Sequence, residues 1–195
     1  MTTGATFMAF PLKITLVAAL SLLAACRSDP IQFHTLTPAQ PAVNSRSTAG
    51  IQIEMLTVPP QVDRPQIVVR EGNTGMAILE TEWWGASLVD ELRSALTDQM
   101  INNNPQRRVS VRLEVQRFDS IPGQYGLLDV KWRLRTNNGS ESLMDTCRST
   151  LQTPSGPSID ELVAAQQNNV RRLAALINQA AASTQKGCPS ASTSP

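Results

Sequence analysis

Histidine, tyrosine and cysteine are nearly missing from this 195-residue chain, which holds one, one and three of them respectively. The single histidine, His34, excludes multi-histidine zinc sites by count. It lies near the N-terminal tether, so neither a Ser-His-Asp nor a Cys-His arrangement is expected. There is no GxxxxGK phosphate loop, no GxGxxG turn and no CxxC pair. Glu80 and Glu82 share one side of a strand end, where solvated edge carboxylates outweigh paired-acid chemistry. The reading is therefore of a protein that is not an enzyme and takes no metal or diffusible cofactor. An excess of one charge is lacking as well. Seventeen basic residues face sixteen acidic ones, which leaves no electrostatic footprint for nucleic acid or an anionic surface.

Long apolar runs are scarce outside the N-terminus. There, Lys13 precedes the apolar stretch Ile14 to Leu23, which ends in small residues, the pattern of a secretory signal. The stretch falls short of the about 20 residues a transmembrane helix needs, and Arg27, Ser28, Asp29 and Pro30 turn the chain polar at once. Leu23-Ala24-Ala25-Cys26 resembles the lipobox of bacterial lipoproteins, whose cysteine sulfur is acylated before cleavage leaves it as the first residue. The alternative is an ordinary signal peptide with a coincidental cysteine. On the lipobox reading residues 1–25 are removed, and the covalent lipid on Cys26, palmitate included, anchors the chain. Arg27 stands where an aspartate commonly retains lipoproteins in the inner membrane, so the resemblance implies the outer membrane, periplasmic face. Removal of 25 residues leaves 170, one domain's worth, with sixteen charges of each sign.

The two other cysteines, Cys147 and Cys188, sit in a chain bound for an oxidising compartment, where a disulfide is expected between them. Two free thiols are the alternative, since spacing alone does not show that the sulfurs meet.

Composition divides the remainder into a tether (26–50), a body (51–188) and a tail expected to be disordered (189–195). Ile31 to Leu36 suits a short strand, and Thr37 to Gly50 is a Pro-, Ser- and Thr-rich loop. Ile51, Ile53 and Met55 alternate with polar residues until Pro59-Pro60. Glu71 to Gly75 joins two further strands as a hairpin loop. Leu88, Leu92, Leu96 and Met100 recur every fourth residue, predicting a helix from about Gly85 to Asn102 that Pro105 stops. Val109 to Val115, Leu128 to Leu134 and Leu143 to Leu151 read as three strands, the first two with strict apolar and polar alternation. Ser158-Ile159-Asp160-Glu161 is a capping box opening a last helix whose stripe runs from Ile159 to Ala181. The expected class is α+β: a two-layer sandwich of one mixed sheet with two long amphipathic helices on one face.

Three stretches carry a resemblance. Ile51 to Pro59 followed by Val62-Asp63-Arg64-Pro65-Gln66-Ile67-Val68-Val69-Arg70 resembles the signature of the ABC-type transport auxiliary lipoproteins, the PqiC-like family. Glu82-Trp83-Trp84-Gly85-Ala86-Ser87-Leu88 is similar to the family's segment opening its first helix, with Trp83 where arginine and Ser87 where proline is usual. Phe33-His34-Thr35-Leu36 resembles its early strand. The resemblance implies a non-catalytic accessory role in intermembrane lipid transport with an MCE-domain protein and inner-membrane components, and assembly as a homo-oligomeric ring. The alternative role is that of a general envelope structural or assembly lipoprotein.

The candidate partner-binding residues are Asp63 and Arg64, on a Pro-bounded loop, and Trp83. A structural turn around Asp63 is an equally good reading, and Trp84 is the tryptophan expected in the core. Lys131, Arg133 and Arg135, with Arg112, are read either as a groove for headgroup phosphates or, preferably, as a solvated sheet face shared with Asp129 and Glu114.

Overall fold

The computed structural model describes residues 29–39, 51–100, 107–138, 141–183 and 187–189, and residues 31–195 form one compact unit. Cys26 and the apolar segment before it lie outside the described residues, as do 190–195. Among the described residues, seven strands and two helices follow in the order β1 (Gln32–His34), β2 (Gln52–Thr57), β3 (Gln66–Glu71), β4 (Gly75–Trp84), α1 (Leu88–Gln99), β5 (Arg108–Ile121), β6 (Tyr125–Asn138), β7 (Glu141–Pro154) and α2 (Ile159–Ala182). The class is α+β, as the alternation of strand and helix periods predicts.

The strands divide between two mixed sheets rather than forming one. A three-stranded sheet has the order β1-β4-β3, and a four-stranded sheet has the order β2-β5-β6-β7. In each, the N-terminal strand joins as a parallel edge, β1 on β4 and β2 on β5, while the remaining pairs are antiparallel. Strand periodicity shows which face is buried and says nothing of which strand lies beside which, so the split was not legible in the pattern. The folded unit also begins at Ile31, earlier than the boundary at residue 51, because β1 is paired into the first sheet. Three residues are too few to show a period.

The large sheet follows the alternation closely. Val111, Leu113 and Val115 of β5 stand beside Leu134, Trp132 and Val130 of β6, with Cys147, Ser149 and Leu151 on the same face of β7, all buried. Both helices lay their apolar stripes against this core: Leu88, Leu92, Ala95 and Leu96 from α1, and Leu162, Leu173, Ala174 and Ile177 from α2. Helix α1 is capped by Ser87, whose hydroxyl accepts from the Asp90 N–H, so it starts three residues later than expected. Helix α2 opens on the capping box of Ser158 and Glu161, and the Ser158 hydrogen bonds hold the Glu161 carboxyl below its ordinary range. Among the described residues no helix is long and apolar enough to cross a membrane.

The stripe of α2 has a gap between Val163 and Val170, and the gap is filled by buried Gln166 and Asn169. Gln166 donates to the Asp119 carbonyl (2.9 Å) and Asn169 to the Gly126 carbonyl (2.9 Å), so both serve backbone groups at the β5–β6 turn. Gly126 is required by this approach, since a Cβ there would lie 2.9 Å from Gln166 Cδ.

Cys147 and Cys188 are joined in a disulfide that ties the residues beyond α2 to the middle of β7. Closing a loop of 41 residues constrains the unfolded chain, and its removal costs about 4 kcal/mol. Cys147→Ser with Cys188→Ser should therefore lower the urea midpoint and steepen the transition, because the unfolded chain without the cross-link is less compact and exposes more surface. A peptide map of the non-reduced protein should contain the joined peptides, and freely alkylated thiols would contradict the pairing.

Asp129, on the outer face of β6, accepts from Arg148 Nε (2.9 Å) and Nη2 (2.6 Å) and from Thr150 Oγ1 (3.2 Å). The Arg148 hydrogen bonds hold its carboxyl below the ordinary value near 3.8, against the opposing effect of burial. A depressed folded pKa contributes stability that is present above the unfolded value and lost as pH falls through the folded one. Asp129→Asn should thus cost about 1–2 kcal/mol at neutral pH, discounted for the exposed guanidinium. The gap to wild type should narrow below about pH 4. Urea titrations at neutral pH and at pH 3 check this, and a gap independent of pH would contradict it.

Candidate functional site

The three motif stretches, far apart in the chain, meet at one end of the domain. Strand β1 pairs with the end of β4, setting Phe33 beside Trp83 and His34 beside Trp84. The loop Asp63-Arg64-Pro65 leads into β3 at the same end: the Pro65 carbonyl accepts from Trp84 N–H at 2.6 Å. Asp63 Oδ1 accepts from the Val89 N–H at 3.3 Å, which places this carboxylate on the N-terminus of α1. Asp63 is therefore a brace for the helix as well as an exposed charge. Arg64 is half-buried, and its Nε has no hydrogen-bond partner among the described residues.

Trp84 is buried and meets Phe118 edge to face at 6.3 Å, tying the two sheets together. Trp83 points the other way. Its Nε1 donates to the Glu80 carbonyl at 2.8 Å, and its ring packs edge to face against exposed Phe33.

Residues 34–36 are gripped from several sides. His34 Nε2 lies 2.5 Å from Glu82 Oε2, and Nδ1 lies 3.4 Å from Asp160 Oδ1 at the start of α2. The Gly85 N–H donates to the His34 carbonyl (2.8 Å), and Gln167 Nε2 donates to the Thr35 carbonyl (2.9 Å). Glu91 of α1, itself buried, accepts from the Leu36 N–H and the Thr35 hydroxyl, both at 2.8 Å. From the sequence His34 is expected only to lie near the tether, and Glu82 to be a solvated edge carboxylate. The structure makes them a clasp that holds β1 to β4 and to the start of α2, while Glu91 fastens Thr35 and Leu36 to α1. Glu91 breaks the polar face of α1 by lying on its buried side, one residue before Leu92, but a lone acid beside an apolar stripe gives no hint of its partner.

The basic residues of the large sheet also come together. Arg112, Lys131 and Arg133 line a groove of about 290 Å³ with Met55 and Glu114. Arg112 Nε donates to Glu54 Oε2 at 2.7 Å, and hydrogen bonds from Ser110 and then Arg112 hold the Glu54 carboxyl below its ordinary range. Arg135 lies close enough to Glu54 to add to that lowering. Among the described residues Lys131 and Arg133 have no ion-pair partner. With Glu54 and Glu114 interleaved, this is a solvated face of mixed charge. No three histidine, cysteine, aspartate or glutamate side chains among the described residues are placed to hold a metal ion.

The profile of the ABC-type transport auxiliary lipoprotein component matches residues 34–178, from the clasp histidine nearly to the end of α2. The chain belongs to that family. Apart from Phe33, its matched span includes the three stretches that converge beside Trp84. A solved structure of an uncharacterized protein is similar at 15% identity, with a TM-score of 0.59 over 77% of this chain and 98% of the other. Protein XCC0632 from Xanthomonas campestris is similar at 14% identity, with a TM-score of 0.53 over 77% of this chain and 94% of its own. At these identities the two likenesses show the fold alone. No curated protein matches the chain. As a member of this family the chain is an auxiliary lipoprotein of an ABC-type transport system.

Proposed function

We propose that the protein is a periplasmic, outer-membrane-anchored lipoprotein acting as a non-catalytic accessory component of an MCE- and ABC-type intermembrane lipid transport system. The family match over residues 34–178 carries the reading. On this reading residues 1–25 are a signal peptide, Cys26 carries the lipid, and 26–30 are the link to the folded unit that starts at Ile31. A lipid anchor on a short polar link holds a domain near a bilayer without burying it. Exposed Asp63 and half-buried Arg64, at the anchor-proximal end, are the residues proposed to meet a partner, an MCE-domain protein or an inner-membrane component, while Trp83 beside them is left for another contact. A ring of copies would use heterologous contacts.

The test is genetic and chemical. In cells lacking the protein, pulse-labelled phospholipid should distribute differently between the separated inner and outer membranes. The wild-type chain should restore the distribution, and Cys26→Ser should not. An unchanged distribution would contradict a role in lipid transport and favour a structural role in the envelope.

A further inference from the structure

Large apolar side chains left in water beside a chain's point of attachment call for an account. Phe33 is 67% exposed and Ile31, two residues earlier, is 46% exposed. Phe33 is stacked edge to face on Trp83, ring centroids 6.3 Å apart, across the parallel β1–β4 pair. Their neighbours in register, His34 and Trp84, turn inward to the clasp and the core, so this aromatic pair lies on the outer face of the three-stranded sheet, Phe33 on its edge strand β1 and Trp83 on the adjoining β4. The Trp83 Nε1–H is already satisfied by the Glu80 carbonyl, so its ring can enter a less polar medium without stranding a donor.

The position of the patch says what covers it. Ile31 is five residues beyond Cys26, and five residues reach at most about 18 Å when fully extended. A unit of this size has a radius of gyration of about 15 Å, so a link that short brings one particular end of it to the anchoring surface. That end carries Ile31, Phe33 and Trp83. Tryptophan and other amphipathic rings favour the boundary between lipid headgroups and acyl chains, and the neutral overall charge makes apolar contact the available means of attachment.

We propose that the Ile31, Phe33 and Trp83 patch rests in the interfacial zone of the bilayer that holds the Cys26 lipid, so that the domain is oriented by two contacts rather than swinging on one. The inference rests on the anchor reading above.

The test uses the full mature lipoprotein, its acylation checked by intact mass, in vesicles of phosphatidylethanolamine and phosphatidylglycerol with brominated acyl chains. The other two tryptophans, Trp84 and Trp132, are buried in the core, so a bromine-sensitive emission belongs to Trp83. The expected result is loss of the Trp83 emission in brominated vesicles relative to unbrominated ones. That difference should disappear in Trp83→Phe and shrink in Phe33→Ser. Acylated, vesicle-bound protein whose Trp83 emission is the same in both vesicles would overturn the proposal, whether the ring is then open to acrylamide or shielded by a second copy. A mature chain without acyl mass on Cys26 would instead defeat the anchor reading, and the inference with it, and the mass spectrum separates the two failures.

Discussion

Trp132→Ala should destabilise the domain by about 4–5 kcal/mol, a large share of what holds a single domain folded. Trp132 is 1% exposed on β6, flanked by Leu113 of β5 and Cys147 of β7, where the large sheet meets the helices. Its truncation removes the transfer free energy of an indole and leaves a cavity that two paired strands cannot close. It also strips Ser149 Oγ of the Nε1–H that it accepts at 3.0 Å. Trp132→Phe should retain most of the packing and cost less than half as much. Urea unfolding of both variants checks this, and an alanine variant within 1 kcal/mol of wild type, by the same measurement, would show that the sheet core is not where the stability resides.

Cys26→Ser should abolish membrane attachment altogether. Acyl chains contribute about 0.8 kcal/mol per buried methylene, and lasting attachment takes more than one chain, so on the proposed anchoring the loss of the Cys26 sulfur leaves nothing of comparable strength. Small contacts such as the Phe33 and Trp83 patch orient a tethered domain and do not replace the tether. The variant should take up no labelled fatty acid and should appear as a soluble or uncleaved species, with its folded unit from Ile31 onward intact. Label on the serine variant would show the anchor assignment to be wrong.

Much of this architecture could be read from side-chain period. The alternation from Val109 to Val115 and from Leu128 to Leu134 marks β5 and β6 and their buried face, and the four-residue recurrence of Leu88, Leu92 and Leu96 marks α1. Ser158 and Glu161 announce α2 by local hydrogen bonding alone. What period cannot carry is adjacency. The parallel docking of β1 and β2 on distant strands, and hence the division into two sheets, depends on contacts between residues about 50 apart. The clasp of His34 with Glu82 and Asp160 is of the same kind, since each partner is unremarkable in its own segment. The candidate site was partly legible: the motif stretches name the segments that meet beside Trp84, but the meeting itself and the bracing of α1 by Asp63 are tertiary facts. Gln166 and Asn169 stand between, because a break in the apolar stripe of α2 announces buried polar groups without naming the carbonyls they serve.

The most direct test of the central claim is to cross-link the tagged lipoprotein in living cells, purify it from detergent-solubilised envelope, and identify what is bound by mass spectrometry. The account predicts an MCE-domain protein as the dominant partner, lost when Cys26 is serine. Recovery of only peptidoglycan-associated or assembly proteins would contradict it and reduce the family likeness to a shared fold put to another use.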